Sequence, residues 1–251
     1  MLQKKNYDQI IMGCLLTGTH DVNRNTVLQN DDYSLVKRWA DSIIELNLQG
    51  IIFHNNFSAK TRLKNENKNI HFIHVKHDAS FNPNIYRYFI YKDFLDKQKA
   101  NIDKVFCTDI SDVVILKNPF VEPLFINNAG KIFCGDEPKK LNNEWMHDHA
   151  AHLRNCISDY ALYEDTFKDA QLLNCGVIGG DIKVMNEFIV ALTAIHARYN
   201  HDNKTAFTGD MGAFNYLART KYNNLLCHGE PVTTLFKAFE KNNGTCWFKH
   251  K

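Results

Sequence analysis

The order of the apolar segments is the feature that most limits what this chain can fold into. Short runs rich in β-branched residues alternate with longer stretches whose apolar residues recur at spacings of three and four. This alternation predicts an α/β protein with a mainly parallel central sheet covered by helices. Because the 251 residues contain no internal repeat and no Pro/Gly/Ser-rich linker, we predict a single α/β/α domain over residues 1–251.

The apolar runs and the periodic stretches define the expected elements. Strands are predicted at Gln9–Leu16, Gly50–His54, Ile70–Val75, Lys104–Thr108, Lys131–Cys134, Cys175–Ile178 and Leu225–His228. Helices are predicted at Tyr33–Leu46, at Ile85–Gln98, after Asp181 and from about Gly209. The stretch 138–168 is the least strand-like and the richest in His, which suggests an insertion over the site.

Composition excludes several classes of partner. Thirty Lys and Arg against 28 Asp and Glu give a formal charge of +2, so no broad field exists to hold a nucleic acid or an anionic membrane. No apolar run approaches the roughly 20 residues of a transmembrane helix. The 7 cysteines show no C-x-x-C spacing, which predicts a reducing compartment, the cytoplasm. The 28 Asn suggest an AT-rich genome of viral or bacterial origin.

The sharpest motif lies at 105–120, with the sequence V-F-C-T-D-I-S-D-V-V-I-L-K-N-P-F. An apolar strand runs directly into Asp109 and Asp112. Two carboxylates at the carboxyl end of a strand suit a hard divalent cation, which keeps positions for phosphate oxygens and water. In the structural alternative, Asp109 caps a loop and Asp112 is solvated, because Asp is common in such loops.

This block resembles the Asp-x-Asp motif of the GT-A class of nucleotide-sugar-dependent glycosyltransferases, although the acidic pair here is one residue wider. The flanking letters D-V-V-I-L-K-N-P match Asp112 to the last Asp of the motif. In that class the motif and Mn²⁺ or Mg²⁺ hold the diphosphate of the sugar nucleotide. The resemblance implies a Rossmann-like GT-A domain, with a nucleotide-binding part at about 1–120 and an acceptor-binding part at about 121–251.

Two later stretches resemble the same class. The segment L-L-N-C-G-V-I-G-G-D at 172–181 is similar to the strand that approaches the donor sugar and acceptor, which implies substrate roles for Asn174 and Gly176. The segment T-G-D-M-G-A-F-N-Y-L at 208–217 resembles an acidic helix start, somewhat more like retaining than inverting families. The resemblance implies Asp210 as the base of an inverting enzyme, or Asn174, Asp181 or Asp210 as stabilisers in a retaining one. As alternatives, the glycines serve close packing and Asp210 caps its helix.

The C-terminal run C-W-F-K-H-K resembles families in which a late His completes the metal shell. This implies His250 as the third metal ligand and Lys251 as a diphosphate contact. Neutral imidazole is a suitable ligand beside two carboxylates. Arg87 resembles a family Arg that reaches the phosphates or the acidic motif. The alternatives are a frayed terminus for His250 and a surface ion pair for Arg87.

The loop after the first strand resembles the part of the family that holds the nucleotide base and ribose. Our candidates are Thr17, Asp21 and Arg24, with His54 and Asn55 at the end of the second strand. A polar surface loop is the alternative for each of them.

Trp145 precedes three imidazoles, His147, His149 and His152. His149 and His152 share a helix face, so a zinc site is conceivable, but no second ligand group with suitable spacing supports it. Binding of an acceptor sugar by Trp145 and His149 is favoured.

We therefore expect a hexosyl- or pentosyltransferase that uses Mn²⁺ or Mg²⁺ to move a sugar from a nucleoside diphosphate donor, UDP-linked, to a glycan hydroxyl. A metal-dependent nucleotide-sugar phosphohydrolase and a non-catalytic sugar-nucleotide or glycan-binding module stay as alternatives. The chain lacks the Walker A motif, a G-x-G-x-x-G after the first strand and the G-x-S-x-G elbow, so kinase, dinucleotide-dependent and α/β-hydrolase functions lose their main support.

Overall fold

The computed structural model describes residues 7–21, 25–200, 209–237 and 244–251. The strands are β1 (Tyr7–Leu15), β2 (His20–Asp21), β3 (Thr26–Val27), β4 (Gly50–His54), β5 (Ile70–His74), β6 (Ile102–Thr108), β7 (Val113–Ile115), β8 (Ile132–Lys140), β9 (Gln171–Asp181), β10 (Leu226–His228) and β11 (Phe248–His250). The α-helices are α1 (Ser34–Glu45), α2 (Ala59–Asn65), α3 (Pro83–Gln98), α4 (Pro123–Ile126), α5 (Glu144–His149), α6 (Ala151–Cys156), α7 (Tyr160–Phe167), α8 (Ile182–Tyr199) and α9 (Asp210–Lys221).

Every predicted strand and helix is confirmed, but β8 and β9 are longer than predicted. The last three residues of β8 are exposed and include Pro138, so they lack the apolar pattern of a buried strand. The stretch 138–168 contains the three short helices α5, α6 and α7. The pair formed by β7 and β11 was not predicted, because each strand has only three residues and their pairing is long-range.

The central sheet has seven strands in the order β10-β8-β9-β6-β1-β4-β5. Parallel pairs join β6 to β1, β1 to β4, β4 to β5 and β8 to β10, which confirms a mainly parallel sheet. Strand β9 alone is reversed, and it is antiparallel to both of its neighbours, β6 and β8. The first residues of β9 therefore lie at the same edge as the last residues of the other strands.

Both faces of the sheet are buried, which explains the nearly continuous apolar sequence of its strands. Along β1, Ile10 and Met12 pack into a core shared with α3, α8 and α9. Ile11, on the other face, packs into a second core with Trp39 of α1 and Phe248 of β11. The domain is thus an α/β/α arrangement in which the carboxyl edge of the sheet stays open between the two layers.

All seven cysteines carry free thiols. Among the residues that the structure describes, no helix has both the length and the apolar character needed to span a bilayer.

Candidate active site

Most of the predicted site residues gather in a cleft of about 430 Å³ at the carboxyl edge of the sheet. We call the part lined by Leu15 and Asp21, beyond β1, the β1 end. The part lined by Glu137 and Trp145, beyond β8, is the α5 end. Strands β6 and β9 lie between β1 and β8, so their terminal residues form the middle of the cleft.

Asp109, Asp112 and His250 form a cluster in the middle of the cleft. Each offers one ligand atom, and these atoms all lie within 4.8 Å of one another. Nε2 of His250 is 3.6 Å from Oδ2 of Asp109. Burial lowers the pKa of His250 although Asp112 opposes the shift, so the imidazole is neutral at pH 7. Two carboxylates and a neutral imidazole are a suitable donor set for Mn²⁺, and the carboxylates also suit Mg²⁺.

The pairing of β7 with β11 brings the C-terminus to the acidic motif. His250 pairs with Val113, the residue after Asp112, and the backbone N–H of Lys251 donates to the carbonyl of Asp112 at 3.1 Å. Terminal residues are often frayed, but His250 is only 3% exposed. The structure thus brings the three predicted metal ligands together.

Gly176 leaves room for the side chains of this cluster. The N–H of Asp109 donates to the carbonyl of Gly176 at 2.7 Å, which holds the two strand ends together. A Cβ atom on Gly176 would lie 2.8 Å from Nε2 of His250 and 2.9 Å from Oδ2 of Asp109, closer than such atoms can approach. Gly176 therefore lets His250 and Asp109 lie against the β9 backbone, and the two carboxylates and the imidazole of the cluster are a donor set that fits a bound cation.

Arg87 of α3 connects the cluster to Asp210 at the start of α9. Its Nη1 donates to Oδ1 of Asp109, and its Nη2 lies 3.6 Å from Oδ2 of Asp210. Asp210 is 4% exposed, and its Oδ1 accepts from the N–H of Met211 at 2.8 Å. The predicted phosphate-binding Arg and the predicted catalytic Asp are thus part of one buried charged group.

Glu137 is the cleft residue that sequence reasoning missed. It follows the apolar run of β8 and is 7% exposed. Nδ2 of Asn174 donates to its Oε1 at 3.0 Å, while Oδ1 of Asn174 accepts from the N–H of Gly176 at 2.7 Å. Burial raises the pKa of Glu137, and the Asn174 hydrogen bond only partly opposes this. Its signal in the sequence was weaker than that of Asp109, because Gly135 and Asp136 lie between the apolar run and Glu137.

Trp145 and His149 form an aromatic pair at the α5 end. Their ring centroids are 4.1 Å apart at an interplanar angle of 28°, and both line the cleft. Burial lowers the pKa of His149, while Asp210 opposes the shift. His152 instead contacts the backbone carbonyl of Tyr199, so the histidines at this end do not converge on one point.

The position of Asp181 corrects the prediction that it acts in catalysis. Asp181 ends β9 and pairs with Lys104 near the start of β6, so it lies at the opposite edge of the sheet from the cleft. Its Oδ2 accepts from the N–H of Gly130 at 2.6 Å. Because β9 is antiparallel to β6 and β8, its last residue lies where those strands begin.

Thr17 and His54 also lie outside the cleft, which corrects their predicted contact with the nucleotide. Thr17 N–H donates to Oδ1 of Asn55 at 2.9 Å, and the Asn55 amide donates back to the Thr17 carbonyl at 2.9 Å. His54 is buried, and its Nδ1 accepts from the N–H of Phe57 at 3.1 Å. These groups hold the ends of β1 and β4 together.

Three predicted contacts to the nucleotide or its phosphates remain. Asp21 and Lys251 line the cleft, and Asp21 is 5% exposed. Arg24 lies outside the described residues.

Comparison with known proteins shows the fold. No protein-family model and no curated protein sequence matches the chain. A solved structure that matches is the galactosyltransferase LgtC in complex with donor and acceptor sugar analogs. The match has 14% sequence identity and a TM-score of 0.52, and it covers 96% of this chain and 86% of that chain. The chain therefore has the GT-A fold of nucleotide-sugar-dependent glycosyltransferases, as its motifs implied.

Proposed function

We propose that the chain is a metal-dependent glycosyltransferase that moves a sugar from a UDP-sugar to a hydroxyl of a glycan. The observation that carries the proposal is the cluster of Asp109, Asp112 and His250 in the cleft of a GT-A sheet. Ligands of open α/β sheets bind outside the carboxyl ends of the strands, where this cluster lies. The similar galactosyltransferase holds donor and acceptor sugar analogs, which supports the same class of reaction here.

At the middle of the cleft, Asp109, Asp112 and His250 hold Mn²⁺ or Mg²⁺. When bound, the cation neutralises charge on the diphosphate that departs from the sugar. Arg87 and Lys251 add positive charge beside it. Because Arg87 is buried and bonded to Asp109, its guanidinium is already in place before the donor binds.

The β1 end holds the nucleotide in this proposal. Asp21 accepts hydrogen bonds from the base or ribose, and Leu15 and Leu16 cover their apolar faces. We assign nucleotide binding to about 1–120 and acceptor binding to about 121–251, with Asn174 and His250 reaching from the second part into the donor site.

The free thiols support a reducing compartment, the cytoplasm, as the location.

The α5 end holds the sugars. Asn174 and Glu137 are hydrogen-bonded to each other and exchange hydrogen bonds with sugar hydroxyls, while Trp145 packs against the face of the acceptor ring. Asp210 lies beside them on the protein side of the reacting centre. It takes the acceptor proton if configuration inverts, and it stabilises positive charge on the sugar if configuration is retained.

A thermal-shift screen of nucleotide sugars with and without Mn²⁺ tests the proposal, because a ligand that binds only the native state raises its melting temperature. We expect a UDP-sugar to stabilise the protein only when Mn²⁺ is present, and a glycan acceptor to accelerate loss of the donor. Donor loss that is indifferent to acceptors identifies a phosphohydrolase, and binding without turnover identifies a binding module. Failure of every nucleotide sugar to stabilise the protein with Mn²⁺ contradicts the proposal.

A further inference from the structure

One thiol lies inside the cleft between two charged groups. Cys175 is 6% exposed and lines the cleft next to Asn174. Its Sγ is 3.6 Å from Nη2 of Arg87 and 3.8 Å from Oδ2 of Asp210. Both distances suit hydrogen bonds that involve sulfur, which is larger than oxygen and is both a weak donor and a weak acceptor.

The alternation of side chains along β9 explains why this thiol meets Asp210 while its neighbours do not. Asn174 bonds to Glu137, and Gly176 lies under His250, whereas Cys175 packs into the core shared with α3 and α9. The start of β9 thus faces the α5 end of the cleft with one side and the Arg87–Asp210 pair with the other.

The contact between Arg87 and Asp210 is itself too long for a hydrogen bond. Their closest atoms are 3.6 Å apart, beyond the roughly 2.7–3.2 Å of an N–H···O bond. The Cys175 thiol, which is within reach of both, accepts from the guanidinium and donates to the carboxylate. It therefore connects the two charges.

The protonation state of the thiol agrees with this geometry. Burial raises the pKa of Cys175 to about 12, and Asp210 shifts it in the same direction. The sulfur keeps its proton at neutral pH, so it is a donor to Asp210 and not a nucleophile.

We propose that Cys175 is a positioning residue whose thiol holds the Asp210 carboxylate against Arg87 in the geometry that sugar transfer requires. This inference rests on the proposed function. Cys is also a common small apolar residue in protein interiors. The two roles differ in what can replace the thiol, because a positioning role needs a hydroxyl or thiol and a packing role needs only volume.

Three substitutions separate these roles. In Cys175→Val the site stays filled by an apolar side chain with one more heavy atom, and the hydrogen bonds are lost, so we expect kcat to fall about tenfold while the donor dissociation constant in Mn²⁺ is unchanged. In Cys175→Ser a hydroxyl on a shorter side chain replaces the thiol and keeps the hydrogen bonds to Arg87 and Asp210. We therefore expect kcat to stay within about threefold of wild type. Cys175→Ala, which tolerates tight packing, replaces the Val variant if that one does not fold. Wild-type kcat in a folded Val or Ala variant overturns the inference.

A spectroscopic measurement tests the contact without using activity. The S–H stretching band of Cys175 is obtained as the infrared difference between wild type and Cys175→Ser. In an Asp210→Asn background we expect this band to move to higher frequency, because an amide accepts more weakly than a carboxylate. A band that does not move overturns the inference. If wild type transfers no sugar but the band moves, the proposed function fails while the contact stands.

Discussion

The middle of the cleft and its α5 end both carry carboxylates but are built differently. In the middle, Asp109 follows β6 directly and Asp112 lies three residues later. At the α5 end, Glu137 is the last buried residue before the exposed end of β8, and Trp145 lies on a helix of six residues. Strand ends inside a central sheet are held by hydrogen bonds on both sides, whereas short surface helices are held mainly by packing.

The middle of the cleft and the α5 end should therefore respond to substitution in different ways. A metal ion requires all of its ligands at fixed distances, so loss of one ligand removes binding altogether. A sugar is bound by several separate contacts, so loss of one contact weakens binding by degrees. The following substitutions test this difference.

We expect the largest effect from Asp112→Ala, which removes a carboxylate of the metal cluster. Stabilisation by a UDP-sugar and Mn²⁺ should be abolished while the circular dichroism spectrum is unchanged. The matched control is Asp165→Ala, because the side chain of Asp165 is 75% exposed on α7, away from the cleft residues. Metal-dependent donor binding that survives in the Asp112 variant would remove the basis of the proposed site.

Glu137→Gln should lower activity and raise stability. The pKa of Glu137 is raised above its ordinary 4.5, so the folded state binds this proton more tightly than the unfolded state does. The free energy of unfolding therefore falls as pH rises from the ordinary pKa to the raised pKa. The Gln variant shows no such fall, because its amide does not titrate. We expect a higher melting temperature than wild type at pH 7.5, convergence of the two near pH 4, and a kcat reduced about tenfold or more.

Melting curves across this pH range and initial rates with saturating donor measure both effects. A variant that melts below wild type at pH 7.5 would show that the charged form of Glu137 contributes to stability, contrary to this interpretation.

Trp145→Ala is expected to act only at the α5 end. Loss of the ring should raise the acceptor KM about tenfold, in line with the free energy of an aromatic contact, and leave metal-dependent donor binding unchanged. Leu162→Ala is the control, because Leu162 is 68% exposed on α7 and does not line the cleft. Loss of donor binding in the Trp145 variant would mean that the middle of the cleft and the α5 end are not independent.

The smallest effect on activity is expected from Asp181→Asn, at the edge of the sheet away from the cleft. We expect kcat within about twofold of wild type and a loss of about 1 kcal/mol of stability, because one hydrogen bond to the N–H of Gly130 is weakened. Rate and thermal denaturation measurements check the two values. A large fall in kcat would contradict the orientation of β9.

Sequence patterns predicted most of the fold and part of the site, because burial leaves a periodic signal within each segment. Periodicity reports which faces of a segment are buried, so the strands, the long helices and the acidic end of β6 were visible locally. Glu137 was missed because Pro138 and two lysines follow it and hide the strand. Thr17 and His54 were misplaced because a polar residue at a strand end can bond to the next loop as well as to a ligand.

The sequence by itself determined the α/β class, the buried strands and the presence of carboxylates where β6 ends. Only the tertiary structure decided the direction of β9, which places Asn174 in the cleft and Asp181 at the far edge. It also decided that β11 pairs with β7 and so places His250 beside Asp112. Strand direction and long-range pairing depend on contacts between segments distant in sequence, and local hydrophobic patterns are the same for either direction.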